Sequence, residues 1–172
     1  MMRFRTRRLA VSALLVTVML MLGYVESLVP TGIPGVKLGL SNSVLILAIV
    51  WLGIPTAFAL MAAKVLLSGF LFAGVNAMMY AFAGGLLSMV VMAALYKTRA
   101  FSLTPIAMAG AVSHNMGQVG LAMLILQTEK LVYYMAILML AGLVTGCVTG
   151  TVAAILVKRL PRSLLPEDPR KK

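Results

Sequence analysis

Long uninterrupted apolar runs constrain this chain more than any other feature. Six follow one another, at roughly Leu9–Val29, Leu38–Leu52, Pro55–Phe72, Asn76–Tyr96, Thr104–Leu126 and Leu131–Val157. A backbone placed in hydrocarbon must satisfy its own N–H and C=O groups, so runs of this kind become helices. They are continuous rather than alternating, which argues against barrel strands. The second is short: at 1.5 Å per residue it covers roughly 22 Å against a hydrocarbon core of about 30 Å. With 62% hydrophobic and 11% charged residues, the chain lacks the polar surface a soluble domain of its size would need. The expected fold class is an all-α integral membrane protein, a bundle of six transmembrane helices.

The formal charge of +11 invites a nucleic-acid reading, but the basic residues stand at the ends of the apolar runs. If the N-terminus is cytoplasmic, Arg3, Arg5, Arg7, Arg8, Lys97, Arg99, Lys158, Arg159, Arg162, Arg170, Lys171 and Lys172 all fall on the inner side. The outer side receives Lys37 and Lys130, and Lys64 falls inside the third run. That asymmetry predicts both termini in the cytoplasm, and no nucleic-acid partner. The opening "RFRTRRLAVSALLVTVMLMLG" has the basic start and apolar middle of a signal peptide. It has no small-x-small cleavage site, so the expectation is a retained helix. Residues 1–160 are expected to form one transmembrane domain, and 161–172, with three prolines, a disordered cytoplasmic tail.

Several polar residues are expensive at these depths. Lys64, near the middle of the third run, costs roughly 2.5–3.5 kcal/mol on insertion scales and is expected to face the bundle interior. His114, Asn115 and Gln118 lie together in "GAVSHNMGQVG", with His114 and Gln118 four apart on one helical face. Glu26 is the only carboxylate inside an apolar run, since Glu129, Glu167 and Asp168 lie in a turn and the tail. Such groups serve either as interhelical hydrogen bonds or as the lining of a cavity. One acid cannot neutralise Lys64, Lys37 and a protonatable histidine, so a cavity among them would suit an anion.

The loop "PGVKLGLSN" adds to that reading. With Ser41 or Asn42 as N-cap, the second helix would begin there with free N–H groups and a positive dipole end, reinforced by Lys37. Gly32, Gly35 and Gly39 permit close approach of the backbone. Gly142, Gly146 and Gly150, at intervals of four, form a small-residue ridge for helix packing.

Taken in order, "YVES", "IPGVKLGLSN", "GGLLS", "GAVSHNMGQ" and "GLVTG" resemble the bacterial membrane family called heptaprenyl diphosphate synthase component I, also termed the Gx transporter family. That family is similar to the substrate-binding S components of energy-coupling factor (ECF) transporters, whose ligand lies under the loop after the first helix. The resemblance implies a multi-pass protein of the bacterial cytoplasmic membrane that binds a small solute in an outward-facing cavity, and the charge balance above makes that solute an anion. Its partners would be ECF energising subunits. By that resemblance Lys37, Gly39 and Asn42 would belong to the lid and helix start, and His114, Asn115 and Gln118 to the cavity wall; the cost of burying charge adds Glu26 and Lys64 to the candidate binding residues. The alternative is a non-catalytic membrane component of a heptaprenyl diphosphate synthase, paired with a catalytic subunit. Synthase chemistry needs Mg²⁺ on clustered aspartates, whereas this chain has one aspartate, Asp168. Neither catalytic residue, metal site nor cofactor is expected.

Overall fold

The computed structural model describes residues 2–28 and 40–159. Those residues are helical almost throughout, with no strand among them. The helices are α1 (Met2–Ser27), α2 (Leu40–Ser43), α3 (Leu45–Leu52), α4 (Ile54–Ser68), α5 (Gly74–Thr98), α6 (Leu103–Leu126) and α7 (Leu131–Arg159). A π-helical turn, Gly69–Ala73, joins α4 to α5. Every apolar run of the sequence is thus helical where it is described, apart from turns at Leu28 and Val44, and the tail 161–172 lies outside the described residues.

The breaks have local causes. Gly53, at φ 88°, ends α3 in a conformation that side chains resist, and Pro55 starts α4 in its first turn, where no N–H is needed. Gly74, at φ 80°, does the same between the π turn and α5.

Among the described residues, three stretches are long and apolar enough to cross a membrane: Thr6–Ser27, Ile54–Thr98 and Leu131–Arg159. The apolar runs led to an expectation of six, and the difference has three sources: α4 and α5 fall in one stretch, and two further helices fall short. Ser113, His114, Asn115 and Gln118 dilute the apolar character of α6, and α2–α3 is a short helix broken at Val44. The 45-residue stretch Ile54–Thr98 would be about 67 Å long if straight, more than twice a hydrocarbon core. It is not straight. A Cβ on Gly69 would touch Met78, and one on Gly85 would touch Met61, so α4 and α5 run antiparallel.

The other neighbours alternate in the same way. At one end of α1, Arg8 Nη2 donates to Leu52 O and Thr56 Oγ1, both at 3.1 Å, and closes the turn between α3 and α4. A guanidinium there meets the carbonyl end of α3, where a cation is favoured. At the other end, Glu26 meets the start of α2. The α5–α6 pair closes at Gly84 and Gly117, whose backbones nearly touch. Along α6–α7, Gly142 lies against Ala111, Gly146 against Met108, and Gly150 against Thr104. The glycine ridge of α7 therefore packs inside the bundle, where thin faces allow the close van der Waals contact that holds helices together in lipid.

Leu45, Ile46, Ala48 and Ile49 of α3 are fully enclosed, together with Met61, Val65, Met89 and Met92. The outer surface is apolar as well: Phe70 is 80% exposed, Leu124 76%, Leu140 65% and Val144 65%. Apolar exposure on that scale is unfavourable in water and suits acyl chains. The chain is a membrane protein.

Candidate functional site

Five helices converge on one buried string of polar groups. It begins at the end of α1, where Glu26 is enclosed. Its Oε1 accepts from Leu40 N–H at 2.5 Å and its Oε2 from Ser41 N–H at 3.4 Å. The first N–H groups of a helix have no partner within it, and inside a membrane bundle they need one. Glu26 supplies it. The expectation of a free, anion-attracting start to this helix is therefore corrected. The helix begins at Leu40, so Ser41 and Asn42 lie within its first turn rather than at its cap, and a carboxylate already sits on its N–H groups.

Asn42, 1% exposed, is the hub. Its Oδ1 accepts from Lys64 Nζ at 2.9 Å, and its Nδ2 meets His114 Nδ1. The other ring nitrogen, His114 Nε2, lies 2.6 Å from the Gln118 side-chain amide. Lys64 stands eight residues beyond Thr56, about 12 Å along α4 from the level of Arg8. It is 6% exposed and turned into the bundle. Holding it there with an amide oxygen answers part of the cost of burying an ammonium.

Helix α5 contributes room. A Cβ on Gly84 would lie 2.5 Å from His114 O and 2.8 Å from His114 Nδ1, so the imidazole occupies space that any other residue would fill. Gly84 opens the string "GGLLS" of the sequence. Its part in seating His114 depends on the register between α5 and α6, which no local signal carries.

Six of the eight residues singled out in the sequence are described, and all six are buried. Asn42, Lys64, His114 and Gln118 form the string, and Glu26 adjoins it through the start of α2. Asn115 goes elsewhere. Its Nδ2 donates to Leu138 O of α7 at 2.6 Å, while its Oδ1 is buried with no partner among the described residues. One step along a helix turns a side chain by 100°, which carries Asn115 off the His114–Gln118 face. Lys37 and Gly39 lie outside the described residues. Among those described, no group of three His, Cys, Asp or Glu side chains is placed to hold a metal ion.

The family model for heptaprenyl diphosphate synthase component I matches residues 15–156, a span that includes every described member of the string. No curated protein and no protein of solved structure matches the chain. Over most of its length, from α1 to α7, this chain belongs to the heptaprenyl diphosphate synthase component I family.

Proposed function

We propose that this chain is a non-catalytic membrane subunit in heptaprenyl diphosphate synthesis, working beside a separate catalytic subunit and receiving the diphosphate of a polyprenyl chain at Lys64. The carrying observation is the buried Lys64 ammonium on the Asn42–His114–Gln118 string. A buried cation recovers most of its desolvation cost when an anion faces it, and a diphosphate offers several acceptor oxygens. The family supports the pathway. The composition supports the lack of chemistry, since one aspartate cannot build an Mg²⁺ site of the synthase kind.

A second reading has its own support. The string lies toward the Glu26 end of α1, which is the outer half if both termini are cytoplasmic. That placement favours a transporter subunit, like the S components of ECF systems, taking a small anionic solute from outside. The two readings share an anion at Lys64 and part on its tail. In thermal unfolding of the purified full chain in detergent, a prenyl diphosphate is expected to raise the midpoint several degrees more than small anions such as inorganic diphosphate or citrate. A larger response to a small anion would reverse the order of the two readings.

Both readings place the chain in the bacterial cytoplasmic membrane, crossed six times by α1, α2–α3, α4, α5, α6 and α7, with both termini inside. The antiparallel neighbours and the inner-side excess of basic residues support this topology. In a Cys147→Ser background, Thr128→Cys in intact cells is expected to react with a membrane-impermeant maleimide. Ala100→Cys should react only after permeabilisation. The opposite pattern would overturn the topology.

A further inference from the structure

The outer end of α4 lies beside the Glu26 end of α1, because the ring of Phe72, in the π-helical turn, packs edge-on against Tyr24 with centroids 5.5 Å apart. On the way there α4 presents a second buried polar side chain. Ser68 stands four residues beyond Lys64, about 6 Å farther along the helix, and is 3% exposed. Residues four apart lie one above the other on a helix, so the hydroxyl and the ammonium side chain share one buried stripe. The next residue, Gly69, opens the π turn, a geometry uncommon in helices and frequent at functional sites.

Ser68 Oγ donates to Val65 O at 3.1 Å. A serine within a helix often satisfies itself in this way, and Ser113 of α6 does the same with Ala109 O and Gly110 O. Val65 O also accepts from the backbone N–H of Gly69. The serine bond is therefore an addition to the helix, and Val65 O keeps a partner when the hydroxyl turns elsewhere. A hydroxyl proton rotates to suit its acceptor, so an anion within reach can draw it off the carbonyl. What sets Ser68 apart from Ser113 is its place, one turn from a buried cation on the same helix face.

We infer that, given a diphosphate at Lys64 as proposed above, Ser68 is a second binding residue, whose hydroxyl donates to the diphosphate and makes the site prefer diphosphates to monophosphates. The terminal phosphoryl group carries most of the ligand's charge and is drawn to the ammonium. The phosphoryl group that bears the prenyl ester then lies outward of it, on the Ser68 side, and offers the acceptor to which the hydroxyl turns. A neutral donor suits that place. It makes a charge-assisted hydrogen bond without bringing a second cation into a medium of low dielectric. A monophosphate has one phosphoryl group, which Lys64 takes, and gains nothing from Ser68.

Affinities of heptaprenyl diphosphate and heptaprenyl monophosphate for the purified full chain in detergent test this. Alanine is a stronger helix former than serine, so Ser68→Ala is expected to fold. It should weaken diphosphate binding about tenfold, the loss of one hydrogen bond to a charged group, and leave monophosphate binding within about twofold. The ratio of the two affinities then falls about tenfold. Ser113→Ala removes another buried, back-bonded hydroxyl, on α6, and is expected to leave the ratio unchanged. An unchanged ratio in Ser68→Ala, or an equal fall in Ser113→Ala, would overturn the inference and leave the anion at Lys64 standing. If the wild-type chain binds no heptaprenyl diphosphate, the inference and the function proposed above fall together.

Discussion

Gly84→Leu is expected to cost on the order of 3 kcal/mol of stability or to prevent assembly of the bundle altogether. The first atom added at Gly84 would lie 2.5 Å from His114 O, a backbone atom, and 2.8 Å from Gln118 Cγ. A flexible side chain could move aside from such an overlap. A helix backbone cannot, unless α5 and α6 separate. Gly117 approaches from the opposite side with equal tightness, its own Cβ position being 2.8 Å from Gly84 Cα. Separation would open this contact and unseat the His114 ring together. Gly120, one turn further along α6, has nothing within 4 Å of its Cβ position. Gly120→Leu is therefore expected to stay within about 0.5 kcal/mol of the parent. Unfolding midpoints of the two variants in detergent decide the matter. Equal midpoints would mean that α5 and α6 do not meet at Gly84.

Much of the helix layout was legible in the sequence, because hydrocarbon leaves an apolar run few alternatives. Runs starting near Pro55, Thr104 and Leu131 correspond to α4, α6 and α7 with ends within two residues, apart from the π turn that continues α4. Glu26, Asn42, Lys64, His114, Asn115 and Gln118, the polar residues singled out inside the runs, are all buried, since lipid solvates such groups poorly. What the sequence does not carry is rotation and long-range pairing. His114 and Gln118 were grouped with Asn115 by position, yet Asn115 faces α7 and bonds Leu138 O. The N–H groups of α2 looked open because their partner, Glu26, stands fourteen residues earlier on another helix. Asn42 looked like the edge of a loop. Only the packing of α2 against α4 and α6 places it between Lys64 and His114.

Lys64→Met should have opposite effects on stability and on binding, and that opposition distinguishes a binding role from a structural one. Methionine keeps the length of the side chain while removing a cation from a site of low dielectric. The change removes the roughly 2.5–3.5 kcal/mol cost of a lysine at that depth, which offsets the cost, about 1–3 kcal/mol, of leaving the Asn42 acceptor without this donor. Asn42 loses one hydrogen-bond donor, while its Nδ2 contact with His114 can persist. The unfolding midpoint is accordingly expected to hold or rise. Binding should weaken, because a charged hydrogen bond to an anion is worth about 1.5–3 kcal/mol, or about 10- to 100-fold in affinity.

The affinity of heptaprenyl diphosphate for the wild-type chain and for Lys64→Met, measured beside their unfolding midpoints, therefore addresses the central claim most directly. A loss of about tenfold or more at an unchanged or higher midpoint is the predicted result. Equal affinity in the two proteins would contradict it, and would leave Lys64 as an interhelical hydrogen-bond donor to Asn42.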